Sequence, residues 1–510
     1  MCEVEESYSE YIQEKEQKKN LAQTCMKCKE QPAALIIRVG DAFCKSCFKE
    51  YFVHKFRAML GKNRIVYPGE KVLLAYSGGP SSSAMIQQVQ EGLSREAPKK
   101  LRFHPGILFI DEGAVCGQSW EERQRTSAEV QSVLEKTAFP YRIIQLEQVF
   151  SLPGTILQRN PSEISAQRQN YKQAVGSFIG EQASQSDTLE KLAQLSTADT
   201  TAQESSDTLP DAITTSCPPE AFTQQLIQLF TSTKTLTAKQ ELLHTLRTHL
   251  ILHTARSCGY SKVMSGESCT RLSVHLLSNI SLGRGAFLPL DTGFADNRFG
   301  DVSVIRPMRE YSLKEISFYN RLFQVPSIFI PALDTKAPEN GSIQRLSETF
   351  IAKLQEDFPS TVSTVYRTSE KLNLSSMDPT PENGPQDRCL LCLCPLDTHV
   401  GAASAFHATQ VSQHLSQKQT SKHIDLTNTS GKSCCKQGQC CGNSENSTSC
   451  HTRVSGVADL VHALCYSCRL TVKDMQTTNV LPQYILQEAE HRNRRNEMKK
   501  EIQEFLLENV

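Results

Sequence analysis

The chain of 510 residues has no run of 18 apolar residues, so no segment reads as a membrane-spanning helix. Its first 20 residues, MCEVEESYSEYIQEKEQKKN, lack the apolar core of a secretory signal and read as a flexible, charged, helix-prone tail. Neither sign of charge is in surplus: Lys plus Arg and Asp plus Glu both total 55. Without a global basic field, nucleic acid can be bound only through local patches or through a partner. Common catalytic constellations are also missing. No Ser-His-Asp order or paired carboxylates stand out. His249 and His253 share a helical spacing and could share a metal, but no Glu completes an H-E-x-x-H motif with them or with His244. They read as a packed or surface face.

Cysteine, by contrast, is plentiful. Nineteen cysteines in a short secreted chain would suggest disulfides, but here eight fall into four C-x-x-C pairs in a long chain without a signal. That pattern suits a soft metal in a reducing compartment, cytosol or nucleus. Cys25 and Cys28 precede Cys44 and Cys47 by fifteen intervening residues, the spacing of a zinc ribbon or treble clef. Four thiolates close a tetrahedron around one zinc ion. In so short a segment the metal must supply folding energy, on the order of 10 kcal/mol in isolated zinc fingers. An iron–sulfur cluster or unligated thiols are the alternatives.

Cys389 and Cys392 are separated from Cys465 and Cys468 by 72 intervening residues. The polar filler has the composition of an insertion, and loop closure becomes costlier only logarithmically with length. A second, split zinc ribbon is expected. Cys394, Cys434, Cys435, Cys440, Cys441 and Cys450 read as part of a disordered cysteine-rich loop, with a labile metal cluster as the other possibility.

Between the two cysteine modules, strands alternate with helices, which predicts βαβ units and a parallel sheet. VLLAYSGGPSSSAMIQQV runs from strand through a Gly-rich turn into a helix. GILFIDEG (106–113), YRIIQLEQV (141–149), SKVMSGES (261–268) and DVSVIRPM (301–308) supply further strands. The expected organisation is a tail (1–20), a four-cysteine module (21–62) and an α/β domain (63–372) with a disordered insertion (181–219). A linker (373–388), the split ribbon (389–475) with its own insertion (about 397–455) and a charged C-terminal helix (476–510) follow. The basic clusters at Lys99-Lys100-Leu101-Arg102 and His491–Arg495 read as solvated faces, the second with some capacity to meet RNA phosphate.

The Gly-rich turn is the one phosphate-type feature. In Ser77-Gly78-Gly79-Pro80-Ser81-Ser82-Ser83, two glycines allow close backbone approach, and the helix start offers free N–H groups and a positive dipole. A Ser/Gly helix entry that binds nothing is the plainer alternative.

Ser77 to Ser82 resembles the SGGxDS loop of the PP-loop ATP-pyrophosphatases. Phe109-Ile110-Asp111-Glu112-Gly113 resembles that family's second signature. Ser265 to Arg271, followed by Leu282-Gly283-Arg284-Gly285, stands where tRNA-thiolating members carry TGHNADD and LRGD. Val304-Ile305-Arg306-Pro307-Met308 resembles their RPL strand. With cysteine modules at both ends, the chain is similar to the cytoplasmic tRNA 2-thiolation protein 2 family over about residues 20–150 and 220–475.

The resemblance implies a PP-loop (adenine nucleotide alpha hydrolase-like) parallel sheet with helices on both faces and zinc as cofactor. Any nucleotide site would involve Ser77, Gly78, Gly79, Ser81, Ser82, Asp111 and Gly113. It implies a cytoplasmic heterodimer with a catalytic PP-loop subunit that 2-thiolates the wobble uridine of tRNA. The sulfur would come from a thiocarboxylated ubiquitin-related modifier.

Departures from the pattern bear on catalysis. Ser81 replaces the loop aspartate, and Thr270 and Arg271 replace the paired aspartates that would hold Mg2+. Within the α/β core no C-x-x-C follows the third strand, YRIIQLEQV, while Cys116 and Cys269 stand alone. The site is therefore read as degenerate, ATP binding is doubtful, and the chain is expected to be a non-catalytic subunit. An independent adenylating enzyme of this fold, or a zinc-ribbon scaffold without an RNA role, are the rival readings.

Overall fold

The computed structural model describes residues 24–37, 40–94, 97, 100–157, 217–358, 360–369, 388–396 and 460–503. The expected tail, nearly all of the first insertion and the linker, and the whole of the second insertion lie outside the described residues.

The centre is a six-stranded sheet of β3 (Lys71–Tyr76), β4 (His104–Asp111), β5 (Tyr141–Gln145), β6 (Lys262–Ser265), β7 (Ala295–Asp296) and β8 (Ser303–Ile305). The spatial order is β5-β4-β3-β6-β8-β7, parallel except for the short β7, which runs antiparallel to β8. Apolar alternation assigns the faces. Val72, Leu74, Ile107, Phe109, Ile143, Met264 and Ile305 point into one core, while Leu73, Leu108, Ile144 and Val263 point into the other. A two-residue side-chain period places consecutive residues on opposite faces, so runs such as VLLAY are buried on both sides.

The first face is covered by α1 (Lys45–Asn63), α2 (Pro80–Leu93), α3 (Trp120–Glu135) and α8 (Leu313–Phe323). The second is covered by α4 (Glu220–Ser232) and α5 (Leu236–Ser257). Capping boxes start α3 at Ser119/Glu122 and α8 at Ser312/Glu315, each satisfying orphan N–H groups reciprocally.

Both cysteine modules share these cores. In the first, the hairpin β1 (Leu35–Ile36) and β2 (Ala42–Phe43) leads into α1, whose Phe48, Phe52, Phe56 and Leu60 recur every four residues and are buried. Phe52 stacks on Tyr319 with centroids 4.0 Å apart, and the Tyr311 hydroxyl donates to the Phe52 carbonyl at 2.6 Å. In the second, α11 (Tyr466–Lys473) and α12 (Gln483–Gln503) pack Val472, Tyr484 and Ile485 against α4 and α5.

Several elements went unassigned in the sequence reading, among them the hairpin strands β1 and β2, the short helix α7 (Leu288–Thr292) and α11. The strand β7 is only two residues long. Helices α9 (Ile343–Asp357) and α10 (Thr361–Thr368) pack Ile351, Val362 and Tyr366 onto α6 (Cys269–Ser281), where Cys269 is an ordinary core residue.

Candidate functional site

From β3 the chain winds outward through β4 to β5, then returns to place β6 and β8 on the other side of β3. In open α/β sheets, ligands bind beyond the carboxyl ends of the strands at this reversal. The Gly-rich turn after β3 and the Ser265-Gly266 turn after β6 meet there. A Cβ on Gly266 would lie 2.9 Å from the Ser82 Cα and 3.1 Å from the Ser81 carbonyl carbon, so the close approach of these two turns requires glycine.

Within the turn, the Ser77 and Ser82 hydroxyls lie 3.2 Å apart, and Ser82 Oγ donates to the Gly79 carbonyl at 3.0 Å. Gly79 caps α2 without a side-chain hydrogen bond, and Pro80 opens the helix. Gly78 has φ +77°, and a Cβ there would sit 2.7 Å from Ile330 Cδ1. The Ile328 N–H also donates to the Gly78 carbonyl at 2.8 Å. The segment around Ile328 and Ile330 therefore packs directly on the turn.

Asp111 lies at the carboxyl end of β4. One oxygen accepts from the Gly113 N–H at 2.9 Å and the other from Arg123 Nε at 2.7 Å. Arg123 is buried and also forks onto Glu147 at 2.7 and 2.9 Å. Burial raises the Asp111 pKa above its ordinary value, with Arg123 working against it. Gly113 has no room for a side chain, since a Cβ would lie 2.6 Å from Arg123 Cγ. Asp111 and Gly113 thus sit at the same end of the sheet as the turn, inside an ion-pair network that uses both carboxylate oxygens. Glu112 pairs with Arg247 of α5.

At the start of α6, the Thr270 hydroxyl accepts from the Leu313 N–H at 3.2 Å, and Arg271 lies 3.7 Å from Glu348. Glu267 pairs with Arg306 at 2.7 Å. Burial works to raise the Glu267 pKa, but Arg306 and His275 outweigh it and lower the carboxyl to about 2.

The structure gathers both cysteine quartets. The sulfurs of Cys25, Cys28, Cys44 and Cys47 lie within 4.8 Å of one another, as do those of Cys389, Cys392, Cys465 and Cys468. Cys28 and Cys44 are 3.9 Å apart, and Cys392 and Cys465 are 3.5 Å apart. Zinc–sulfur bonds of about 2.3 Å in a tetrahedron give sulfur–sulfur edges of about 3.8 Å. Both quartets fit one four-thiolate ion each. The 72-residue separation of the second pair is no obstacle, because the Leu390 N–H donates to the Ala463 carbonyl at 3.0 Å and ties the two knuckles together.

One reading changes, and the packed-face reading of His249 holds. Cys394 is not a loop cysteine: it is buried beside the second quartet, with Arg298 Nη1 3.0 Å from its sulfur. The other cysteines expected in that loop lie outside the described residues. His249 is no metal ligand among the described residues. Its Nε2 donates to the Leu391 carbonyl at 2.8 Å, and its Nδ1 accepts from the Tyr484 hydroxyl at 2.7 Å. Sequence reasoning missed Arg123 and Glu147 altogether, and gave Arg284 no role of its own. Only Arg284 carried a signal, lying within Leu282–Gly285.

Residues 342–470 match the family described as Cytoplasmic tRNA 2-thiolation protein 2. The chain is 66% identical over 513 residues to the protein of that name from Xenopus tropicalis, covering 100% of this chain and 99% of that one. It belongs to the cytoplasmic tRNA 2-thiolation protein 2 family. Identity to the Homo sapiens relative is 50% over 517 residues, covering 100% of this chain and 98% of that protein. Among solved structures, it resembles the U34-tRNA thiolase NcsA from Methanococcus maripaludis with its [4Fe-4S] cluster. The TM-score there is 0.44 at 13% identity, covering 73% of this chain and 95% of that one. Among the described residues, no helix of this family member is long and apolar enough to cross a membrane.

Proposed function

We propose that the chain is the architectural, non-catalytic subunit of a cytoplasmic tRNA sulfurtransferase complex. In this reading it acts with a catalytic PP-loop partner to 2-thiolate the wobble uridine of tRNA, drawing sulfur from a thiocarboxylated ubiquitin-related modifier. The family name supports tRNA thiolation and the cytoplasm. The observation that carries the non-catalytic role is the state of the acidic positions. Ser81, Thr270 and Arg271 stand where thiolating relatives are expected to carry aspartates, and Asp111 is engaged by Gly113 and Arg123. A carboxylate held in a buried ion pair is not available to coordinate Mg2+ beside nucleotide phosphates.

In this reading Ser77, Gly78, Gly79, Ser81, Ser82, Asp111 and Gly113 form the remnant of a nucleotide site that now maintains the fold. The two cysteine quartets hold structural zinc, because a closed set of four thiolates leaves no open position for substrate. The chain contributes tRNA positioning and stabilises its partner. Cells lacking the protein are expected to lose wobble 2-thiouridine, measured by nucleoside mass spectrometry, together with the steady level of the catalytic partner. Normal wobble thiolation in those cells would overturn the proposal.

A further inference from the structure

The two thiolate quartets sit in different electrostatic settings. Four thiolates around one divalent ion carry a formal charge of about −2. Near the first quartet lies Lys27, solvent-exposed and paired with Glu50 at 2.6 Å. The second quartet is packed into the core, with Cys389 and Cys468 buried, and a guanidinium reaches it. Arg284 Nη2 lies 3.8 Å from Cys468 Sγ, while Nη1 pairs with Glu241 at 2.5 Å. A largely enclosed guanidinium, its side chain 10% exposed, with a single carboxylate partner can serve as counter-charge to an anionic metal centre. Arg298 contrasts with it: two carboxylates, Asp291 and Asp296, already balance its charge, and the sulfur it meets belongs to Cys394, outside the quartet.

Arg284 is also structurally tied to its loop. Its N–H donates to the Asn279 carbonyl at 2.8 Å. The preceding Gly283 has φ +77°, and a Cβ there would lie 2.7 Å from the ring of Tyr466, the residue between Cys465 and Ser467. The loop after α6 is therefore clamped against the second cysteine knuckle at two adjacent positions.

We propose that Arg284 is a positioning residue for the C-terminal metal centre: it neutralises the loaded thiolate quartet, and the loaded quartet in turn fixes the 282–287 loop on the nucleotide-type core. Metal loading and loop order are thus coupled, and removing either loosens the other. The inference rests on the reading that both quartets hold zinc.

The test uses the full chain in its native complex, with zinc release to a chromogenic chelator and hydrogen exchange as readouts. Arg284→Met should weaken one of the two zinc sites by about 10–100-fold, the range for partners lying just outside the ligand shell. The other zinc should be unaffected. Arg284→Lys, which keeps a charge but not the fork, should retain most of the affinity. Exchange over residues 282–287 should quicken in Arg284→Met and in Cys468→Ser, and remain unchanged in Cys44→Ser. If Arg284→Met does not fold, the wild-type complex decides: stripping the second zinc must by itself quicken exchange in 282–287. Two zincs per chain with no Arg284 effect, or with no exchange change on stripping, overturns this inference alone. A chain that never carries the second zinc overturns it together with the metal reading.

Discussion

Arg123 shows how one side chain decides what its neighbours can do. It bridges Asp111 and Glu147, all three of them buried, so both carboxylates are committed to structure. Arg123→Met would leave two carboxylates buried without a counter-charge. The expected loss is about 3–5 kcal/mol of stability, read by chemical denaturation. Arg123→Lys should recover only part of it, because an ammonium cannot fork onto both groups. If Asp111 were instead poised for Mg2+, freeing it from Arg123 would bring on nucleotide binding, and titration of Arg123→Met with Mg-ATP should show none. His249 supplies a second residue-scale prediction. Burial lowers its pKa from 6.5 to about 4, so the unfolded chain takes up a proton that the folded chain refuses. Its contribution to stability is therefore complete above pH 6.5 and declines as pH falls toward 4, by roughly 3 kcal/mol at most. Denaturation midpoints measured between pH 7 and 4.5 should fall, and the fall should be shallower in His249→Gln. Equal slopes would remove the claim.

Elements differ in how plainly the sequence announces them. The strands were legible because runs such as VLLAY and ILFI are buried on both faces and end at Gly-containing turns. Helix α1 was legible from its apolar four-residue period. Helices α9 and α10 were not, since they bury only a few residues each against α6 and leave Leu346, Phe350 and Phe358 exposed. The first quartet was legible from spacing, the second from its two C-x-x-C pairs and the insertion-like filler between them. Their setting was not: that Cys394 meets Arg298, and Cys468 Arg284, depends on contacts across 96 and 184 residues. The split ribbon carries an element-scale prediction. The four sulfurs converge through residues 389–392 and 465–468, tied by the Leu390 to Ala463 hydrogen bond, so the intervening chain need only close a loop. Deleting residues 400–455 should leave zinc content and melting temperature nearly unchanged. Loss of one zinc on that deletion would assign a ligand role to the loop cysteines.

For the molecule as a whole, architecture and chemistry separate. The first quartet lies at the base of α1, whose four buried apolar residues are continuous with the core beneath α2 and α8. Losing that metal should cost more than a local fold, because Phe52 and Tyr319 stack across the junction. The Gly-rich turn, in contrast, closes on itself through Ser77 and Ser82 and is packed by Ile330, so altering its hydroxyls disturbs only short local bonds. A subunit retained for shape should tolerate the second change and not the first. In cells depleted of the native chain, Ser77→Ala with Ser81→Ala should restore most wobble 2-thiouridine, and Cys44→Ala with Cys47→Ala should restore little and lower the level of the chain itself. Ser81→Asp should not confer Mg2+- and tRNA-dependent pyrophosphate release on the isolated chain, since Thr270 and Arg271 still leave the second acidic position empty. Measurable release by the wild-type chain alone, or failure of the Ser77 and Ser81 variant with its fold intact, would mean that the turn still handles nucleotide and that the protein shares in the chemistry.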